Sequence, residues 1–155
     1  MNIVDACMLV AMKAHGGDRN KHDGELYILH PARVSVLVRE AGGTDVQIAI
    51  AWLHDTLEDT ILNPYSIGRE IEDLWRGDAS TVSQVVSGVM AMTKDPEAGE
   101  NADYIQQVKR NADALFVKQN GDIVDNLRRN HLILLEPKRL KMMTKYSKML
   151  AELTA

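Results

Sequence analysis

Apolar residues recur three or four positions apart along most of the chain, which is the spacing of one face of an α-helix. Glycines and prolines interrupt this pattern where a helix would end or begin, and Thr44 with Gln47 forms a capping box. No segment shows the alternation of a half-buried strand. The pattern therefore predicts an all-α bundle with helices over residues 4–14, 31–41, 45–59, 64–74, 81–92 and 104–116, and a last helix after Pro137.

The last predicted helix and the segment between residues 92 and 104 carry two further expectations. Four residues of that helix are expected to face one way: Leu140, Met143, Ser147 and Leu150. Residues 93–101, with the sequence TKDPEAGEN, are rich in turn-forming and charged side chains, so we expect a loop there.

Composition agrees with a helical protein and limits its partners. The chain has 155 residues, which fits one domain over residues 1–155, and only 5% of them are aromatic. Its net charge is −4 without a basic stripe, so duplex nucleic acid is not an expected partner. No apolar run is long enough to span a membrane, and the single cysteine, Cys7, suits a reducing cytoplasm. The pattern makes no prediction about oligomeric state.

The helix predicted over residues 45–59 contains four ionisable side chains among apolar ones, in the segment AWLHDTLEDT. His54 and Glu58 are four positions apart, and so are Asp55 and Asp59, so each pair lies one turn apart on a helix. Burial of such groups is unfavourable unless each one is paired or bound to a metal. Imidazole and carboxylate both bind divalent cations, so the cluster suggests a metal site.

Two other segments supply further candidate ligands. His30 lies in YILHP, where an apolar run meets the start of a helix, and its ring is expected to point inward. Asp122, in DIVDNLRR, lies four positions before Asn126 on a predicted helix. Together with the pair His54 and Asp55, these residues would form a mixed nitrogen and oxygen set. Such a set suits Mn²⁺, Fe²⁺ or Zn²⁺ and leaves positions for water or phosphate.

These motifs, in this order, resemble the metal-binding pattern of the HD-domain phosphohydrolases. Together with AHGGDRNKHDGELYILHPARV, the segments LHDTLEDT and DIVDNLR are similar to the hydrolase domain of RelA/SpoT enzymes and to its small stand-alone versions, such as the metazoan SpoT homologue. The resemblance implies an HD-type helical bundle and Mn²⁺-dependent removal of the 3′-pyrophosphate from ppGpp and pppGpp. Metazoan-type members are also reported to remove the 2′-phosphate of NADPH.

The resemblance also implies roles for individual residues. Four residues match the metal ligands: His30, His54, Asp55 and Asp122. Two match the acidic pair that orients and deprotonates the attacking water: Glu58 and Asp59. Three match positions that contact the substrate, one by its positive charge and two as polar residues of the nucleotide pocket: Lys21, Asn126 and Tyr146. Arg19 is a further candidate for contact with the substrate, because it lies next to the two positions, here Asn20 and Lys21, where the family usually has basic residues.

One departure from the family pattern lies just before Asp122. The family has approximately VKLAD there, whereas this chain has VKQNGD, with one extra residue and an Asn-Gly pair that favours a turn. A one-residue insertion rotates a helix by about 100°, which would move Val117 and Lys118 from their usual places. A local kink or bulge would absorb the insertion and leave Asp122 in register with Asn126.

The residues leave three functions open. The first is hydrolysis of a guanosine alarmone, and the second is the same metal chemistry on a dNTP or on NADPH. The second is suggested by Asn20 and Met142, which stand where the family often has basic residues. The third is a catalytically silent domain that binds a nucleotide or a protein partner, for which the inserted residue is the only support.

Overall fold

Helix α3 (Asp45–Leu53) lies at the centre of the molecule, which we describe from a computed structural model that covers residues 1–97 and 102–155. It packs against α1 (Ile3–His15), α2 (Leu29–Glu40), α6 (Ala79–Met92) and α8 (Ala112–Val117). Its apolar residues, among them Ile48, Ile50 and Leu53, are buried in the main hydrophobic core. A helix surrounded in this way must be apolar over most of its circumference, as the sequence of α3 is.

The other elements surround this core. They are α4 (Thr56–Asp59), α5 (Pro64–Leu74), α7 (Ala102–Lys109), a π-helical turn (Lys118–Asp122), α9 (Ile123–Arg129), a 3₁₀ turn (Asn130–Leu132) and α10 (Glu136–Thr154). Within the two described ranges no β-strand occurs, only one isolated bridge between Arg19 and Leu26. The predicted all-α fold is therefore confirmed, while positions 98–101 of the predicted loop fall outside the described residues.

The capping box predicted at the start of α3 is present. The backbone N–H of Gln47 donates to the hydroxyl of Thr44 at 3.3 Å, and the backbone N–H of Thr44 donates to the side chain of Gln47 at 3.0 Å. Asn63 forms the equivalent cap of α5 with Ser66, followed by Pro64 at the first helical position. These local contacts fix where both helices begin.

The prediction of one continuous helix over residues 45–59 is wrong. Helix α3 ends at Leu53, and the chain turns at His54 and Asp55 before α4 begins at Thr56. Asp55 has φ −98° and ψ −3°, which lies outside the regular helical range and in a region where active-site residues often occur. The turn allows two consecutive side chains to reach the same point, which a regular helix would separate by about 100°.

The prediction of a single helix over residues 104–116 is also wrong. The chain breaks between α7 and α8 at Arg110 and Asn111. The side chain of Asn111 accepts a hydrogen bond from the backbone N–H of Ala114 at 3.0 Å and so caps α8. Asparagine is a strong N-cap residue, and it stops one helix by starting the next.

A second, smaller hydrophobic cluster holds α10 against the rest of the molecule. It consists of buried residues of α7, α9 and α10: Tyr104, Ile105, Val108, Ile123, Met149 and Leu153. On α10, Met149 and Leu153 face inward, whereas Leu140 and Met143, two of the residues expected to share a face, are 55% and 52% exposed. Within the described ranges, none of the helices combines the length and apolar character that crossing a bilayer requires.

The inserted residue before Asp122 is absorbed by the π-helical turn, which is the bulge that the sequence analysis allowed. All three residues of the QNG segment have contacts that hold this turn. The Gln119 side chain donates to the carbonyl of Leu153 at 2.9 Å, and the Asn120 side chain donates to the carbonyl of Phe116 at 2.9 Å. Gly121 lies so close to α2 that a Cβ atom there would come within 2.7 Å of Val34 Cγ1.

Candidate metal centre

Two buried imidazoles meet between α2 and the end of α3. The Nε2 atoms of His30 and His54 are 3.2 Å apart, and both rings are almost fully enclosed. Oδ1 of Asp122 lies 3.2 Å from Nε2 of His30 and 3.6 Å from Nε2 of His54. The ligand atoms of these three residues all lie within 4.8 Å of one another, so they converge on one point.

Asp55 approaches the same point from the turn after α3. Its Oδ2 atom lies 3.0 Å from Nε2 of His54 and 3.6 Å from Nε2 of His30. The four residues that the sequence suggested as ligands are thus close together, although they come from three separate segments of the chain. Imidazole nitrogen with carboxylate oxygen is a donor set that fits a divalent transition metal.

The second nitrogen of each ring determines which atom faces the centre. Nδ1 of His54 lies 2.8 Å from the carbonyl oxygen of Ala51, which can only accept, so Nδ1 carries the proton. Nδ1 of His30 lies 2.7 Å from Oδ2 of Asp125, whose other oxygen accepts from Arg33 Nε at 2.8 Å. Both Nε2 atoms are therefore turned inward in the orientation that metal-binding histidines adopt.

Asp125 is a residue that the sequence analysis missed. It is buried, and through Arg33 it joins a chain of ion pairs that continues to Glu25 at 2.9 Å. A hydrogen bond from a ligating imidazole to a carboxylate orients the ring and raises its basicity. A signal was present, since Asp125 follows Asp122 by three positions and therefore lies on the same side of the helix.

The charges in this cluster stabilise one another. Burial alone would lower the pKa of His30, but hydrogen bonds with Asp122 and Asp125 outweigh it and raise that pKa to about 9. Burial would likewise lower the pKa of His54, but Asp55 and Asp122 outweigh burial and raise that pKa well above its usual value. Burial would raise the pKa of Asp122, but Lys118 and the two histidines hold it well below its usual range. The site therefore favours ionised carboxylates and positive charge between them.

The acidic pair that follows the ligands lies at the open side of the centre. The Tyr27 hydroxyl lies 2.5 Å from Oδ2 of Asp55 and 2.9 Å from Oδ2 of Asp59, so it links a candidate ligand to a candidate catalytic residue. Oε1 of Glu58 accepts a hydrogen bond from the backbone N–H of Lys94 at 2.5 Å. Partial burial raises the pKa of Glu58, which makes its carboxylate a better proton acceptor.

His30, Asp55 and Asp122 of the centre line a cavity of about 300 Å³, to which Asn126 and Tyr146 also contribute. The lining of this cavity also includes cationic side chains that the sequence analysis did not assign to the site: Lys94, Lys118, Lys145 and Arg129. Burial, together with the positive charges of Lys94 and Lys118, lowers the pKa of Lys145. An anionic ligand in the cavity would relieve this repulsion.

Arg19 and Lys21 lie in a neighbouring cavity and not among the lining residues of the first one. This second cavity is about 520 Å³ in volume, and it shares Asn20, His22, Tyr27 and Asp59 with the first. The guanidinium of Arg19 donates to the carbonyl of Gly24 at 2.8 Å. A ligand that occupies the first cavity and also contacts these two basic residues would extend along the residues that the two cavities share.

The fold matches a solved structure of a metazoan ortholog of SpoT, which hydrolyzes ppGpp and plays a role in starvation responses. The TM-score is 0.76, and the match covers 99% of this chain and 86% of that one at 23% sequence identity. The chain has the fold of that SpoT ortholog. The helical architecture around the candidate metal centre is therefore the SpoT-type fold, as the motifs predicted.

Curated relatives agree with this resemblance in sequence. A probable guanosine-3′,5′-bis(diphosphate) 3′-pyrophosphohydrolase of Synechocystis sp. is 36% identical over 84 residues, which is 54% of this chain and 10% of that protein. The guanosine-3′,5′-bis(diphosphate) 3′-pyrophosphohydrolase of Aquifex aeolicus is 30% identical over 96 residues, 62% of this chain and 13% of that protein. A GTP pyrophosphokinase of Streptomyces coelicolor is 32% identical over 91 residues, 59% of this chain and 10% of that protein.

The matched segment is thus only 10–13% of the length of these relatives. No family model matches the chain. The resemblance to RelA/SpoT-type proteins that the motifs indicated is nevertheless confirmed by both the fold and the curated relatives.

Proposed function

We propose that this chain is a metal-dependent phosphohydrolase that converts ppGpp or pppGpp to GDP or GTP and pyrophosphate. The observation that carries the proposal is the convergence of His30, His54 and Asp122 beside a cavity that cationic side chains also line. A cation site next to cationic side chains suits a polyphosphate ligand. The names of the relatives supply the substrate class, and Mn²⁺ is the proposed cation, with Fe²⁺ or Zn²⁺ as alternatives.

His30, His54 and Asp122 would hold the cation, with Asp55 beside them. A divalent cation bound there would polarise a phosphoryl oxygen and lower the pKa of the attacking water. The chain's own part is to hold the two Nε2 atoms and Oδ1 of Asp122 at fixed positions, which Asp125 does for His30 and the carbonyl of Ala51 does for His54.

Glu58 is the proposed general base. Its carboxylate takes a proton from the attacking water, and the raised pKa favours that transfer. The water oxygen then forms a bond to the phosphorus atom that is attached to the nucleoside 3′-oxygen. The bond between this phosphorus and the 3′-oxygen breaks, and the 3′-oxygen takes up a proton as it leaves. Asp59, held through the Tyr27 hydroxyl, would orient the same water.

The cationic side chains of the cavity would bind the phosphates of the substrate. Lys94 and Lys145 would neutralise the pyrophosphate group, and Asn126 and Tyr146 would contact the nucleoside part. Arg19 and Lys21 would meet a second phosphate group that extends into the neighbouring cavity. A substrate with phosphates at two ends, as ppGpp has, could use both cavities.

Product analysis by ion-exchange chromatography tests this function. The full chain is incubated with Mn²⁺ and, separately, with ppGpp, NADPH and a set of dNTPs, with Asp55→Ala as the matched inactive variant. We expect conversion of ppGpp to GDP and pyrophosphate by the unaltered chain and none by Asp55→Ala. Cleavage of another nucleotide instead would keep the metal chemistry and refute the substrate, and metal binding without any cleavage would favour a silent nucleotide-binding domain.

A further inference from the structure

The π-helical turn brings a buried ammonium group onto a proposed metal ligand. Nζ of Lys118 lies 2.5 Å from Oδ2 of Asp122, and the two side chains are only 9% and 6% exposed. The inserted residue sets the spacing of four positions between them, and Gly121 lets the turn press against α2. The contact therefore depends on the QNG segment, which provides the spacing of four positions at which helical side chains lie next to each other.

The two oxygens of Asp122 are used in different ways. Oδ1 faces the imidazoles and also accepts a hydrogen bond from the side chain of Asn126 at 2.8 Å. Oδ2 is covered by Lys118, whose ammonium has no lone pair to offer a metal. With Lys118 in place, Asp122 can bind a cation through Oδ1 alone.

Lys118 also places a fixed positive charge beside the site. Its ammonium forms a buried ion pair with Oδ2 of Asp122. The Tyr104 ring lies 5.3 Å from Nζ and, with Asp122, confines the ammonium. A charge held this close repels a divalent cation, and in a partly buried site this repulsion is only weakly screened.

We propose that Lys118 is a positioning residue of the metal site, which restricts Asp122 to single-oxygen coordination and weakens the binding of the divalent cation. In the metal-free protein the same ammonium neutralises the buried carboxylate, so that the fold does not depend on the metal. The site would then exchange its cation readily. This inference rests on the metal site of the proposed function.

Calorimetric titration of the metal-free full chain with Mn²⁺ tests the proposal through Lys118→Met, which keeps an unbranched side chain one atom shorter and removes its charge. We expect the Kd for Mn²⁺ to fall by about tenfold or more. We also expect a lower Tm without metal and a larger rise in Tm when Mn²⁺ is added. Lys118→Arg, which keeps the charge, is expected to remain close to the unaltered chain in both measurements.

Lys145→Met is the matched control, because Lys145 lines the same cavity. If Lys145→Met changes the Kd as much as Lys118→Met does, the effect comes from the overall positive electrostatic potential of the cavity, and the proposal is overturned. An unchanged or higher Kd in Lys118→Met would overturn it as well.

If the unaltered chain binds Mn²⁺ and Lys118→Met binds it equally, only the inference about Lys118 fails. If the unaltered chain binds no Mn²⁺, both the proposed function and the inference about Lys118 fail. A Lys118→Met variant that folds only in Mn²⁺ supports the role of the ammonium. If it folds in neither condition, Lys118→Gln carries the same expectation, because its amide can still donate to Oδ2 without a charge.

Discussion

Nε2 of His30 and Nε2 of His54 lie 3.2 Å apart, although His30 lies in α2, His54 lies in the turn after α3, and the two residues are 24 positions apart in the sequence. Each ring is held by its other nitrogen, one through Asp125 and the other through the carbonyl of Ala51. The two nitrogens are thus fixed before any cation arrives. Preorganised ligands of this kind make the affinity of a metal site depend on the groups behind the ligands.

Asp125→Asn tests this dependence. The amide removes the negative charge that His30 and Arg33 share, so we expect Mn²⁺ affinity to fall by about 10–100-fold. Calorimetric titration measures the effect. Asp113→Asn is the control, because its carboxylate accepts from Gln47 and not from a ligand. An equal loss of affinity in both variants would show that Asp125 does not act through His30.

The pH dependence of hydrolysis tests Glu58 as the general base. A base must be ionised, so kcat/KM should rise with pH through the pKa of Glu58, which lies above its usual value of 4.5. In Glu58→Gln we expect a loss of about 10²–10⁴-fold and disappearance of that limb of the profile. Glu72→Gln, on the exposed surface of α5, is expected to keep the full profile. A retained limb in Glu58→Gln would assign the base to another group.

Tyr27→Phe separates orientation from binding. The change removes the hydroxyl that contacts Asp55 at 2.5 Å and Asp59 at 2.9 Å, so both carboxylates lose a partner. We expect kcat to fall by about tenfold, since an unfixed Asp59 no longer orients the water, while KM changes little. Steady-state kinetics checks this, with Tyr65→Phe, which is 77% exposed, as the control. A rise in KM at constant kcat would instead make Tyr27 a substrate-binding residue.

Gly121→Ala tests the close approach of the π-helical turn to α2. The new Cβ would lie 2.7 Å from Val34 Cγ1, 2.9 Å from Val38 Cγ2 and 3.2 Å from the Val34 carbonyl oxygen. Overpacking of this kind lowers the free energy of unfolding by about 1–3 kcal/mol. Urea denaturation measures it against Gly17→Ala, where nothing lies within 4 Å of the added atom. Equal midpoints for the two variants would mean that the turn can move away from α2.

Local patterns in the sequence were sufficient for much of the architecture. The helical periodicity predicted an all-α fold, and the capping box at Thr44 and Gln47 is present where it was predicted. Both features depend on residues within one or two turns of each other, so a single segment contains all the information needed. The bulge at VKQNGD belongs to the same class, because one added residue in a helix must be absorbed nearby.

Features that depend on contacts between distant segments were missed or wrong. The break at His54 and Asp55 is not visible in the apolar periodicity, which continues through it. The sequence did not indicate that Met149 and Leu153 are the buried residues of α10, because the partner surface on α7 and α9, and not the helix itself, selects them. Periodicity shows that a helix has an apolar face, but packing decides which residues of a long, mixed helix are covered.

The candidate site divides in the same way. The residue types and order of His30, His54, Asp55 and Asp122 were sufficient to suggest a metal site from the sequence alone. Only the tertiary structure decided that Asp125 supports His30, that Lys118 covers one oxygen of Asp122, and that Arg19 and Lys21 lie in a separate cavity. The physical reason is that ligand chemistry belongs to the residue type, whereas the charge and support around a ligand depend on which distant segments pack against it.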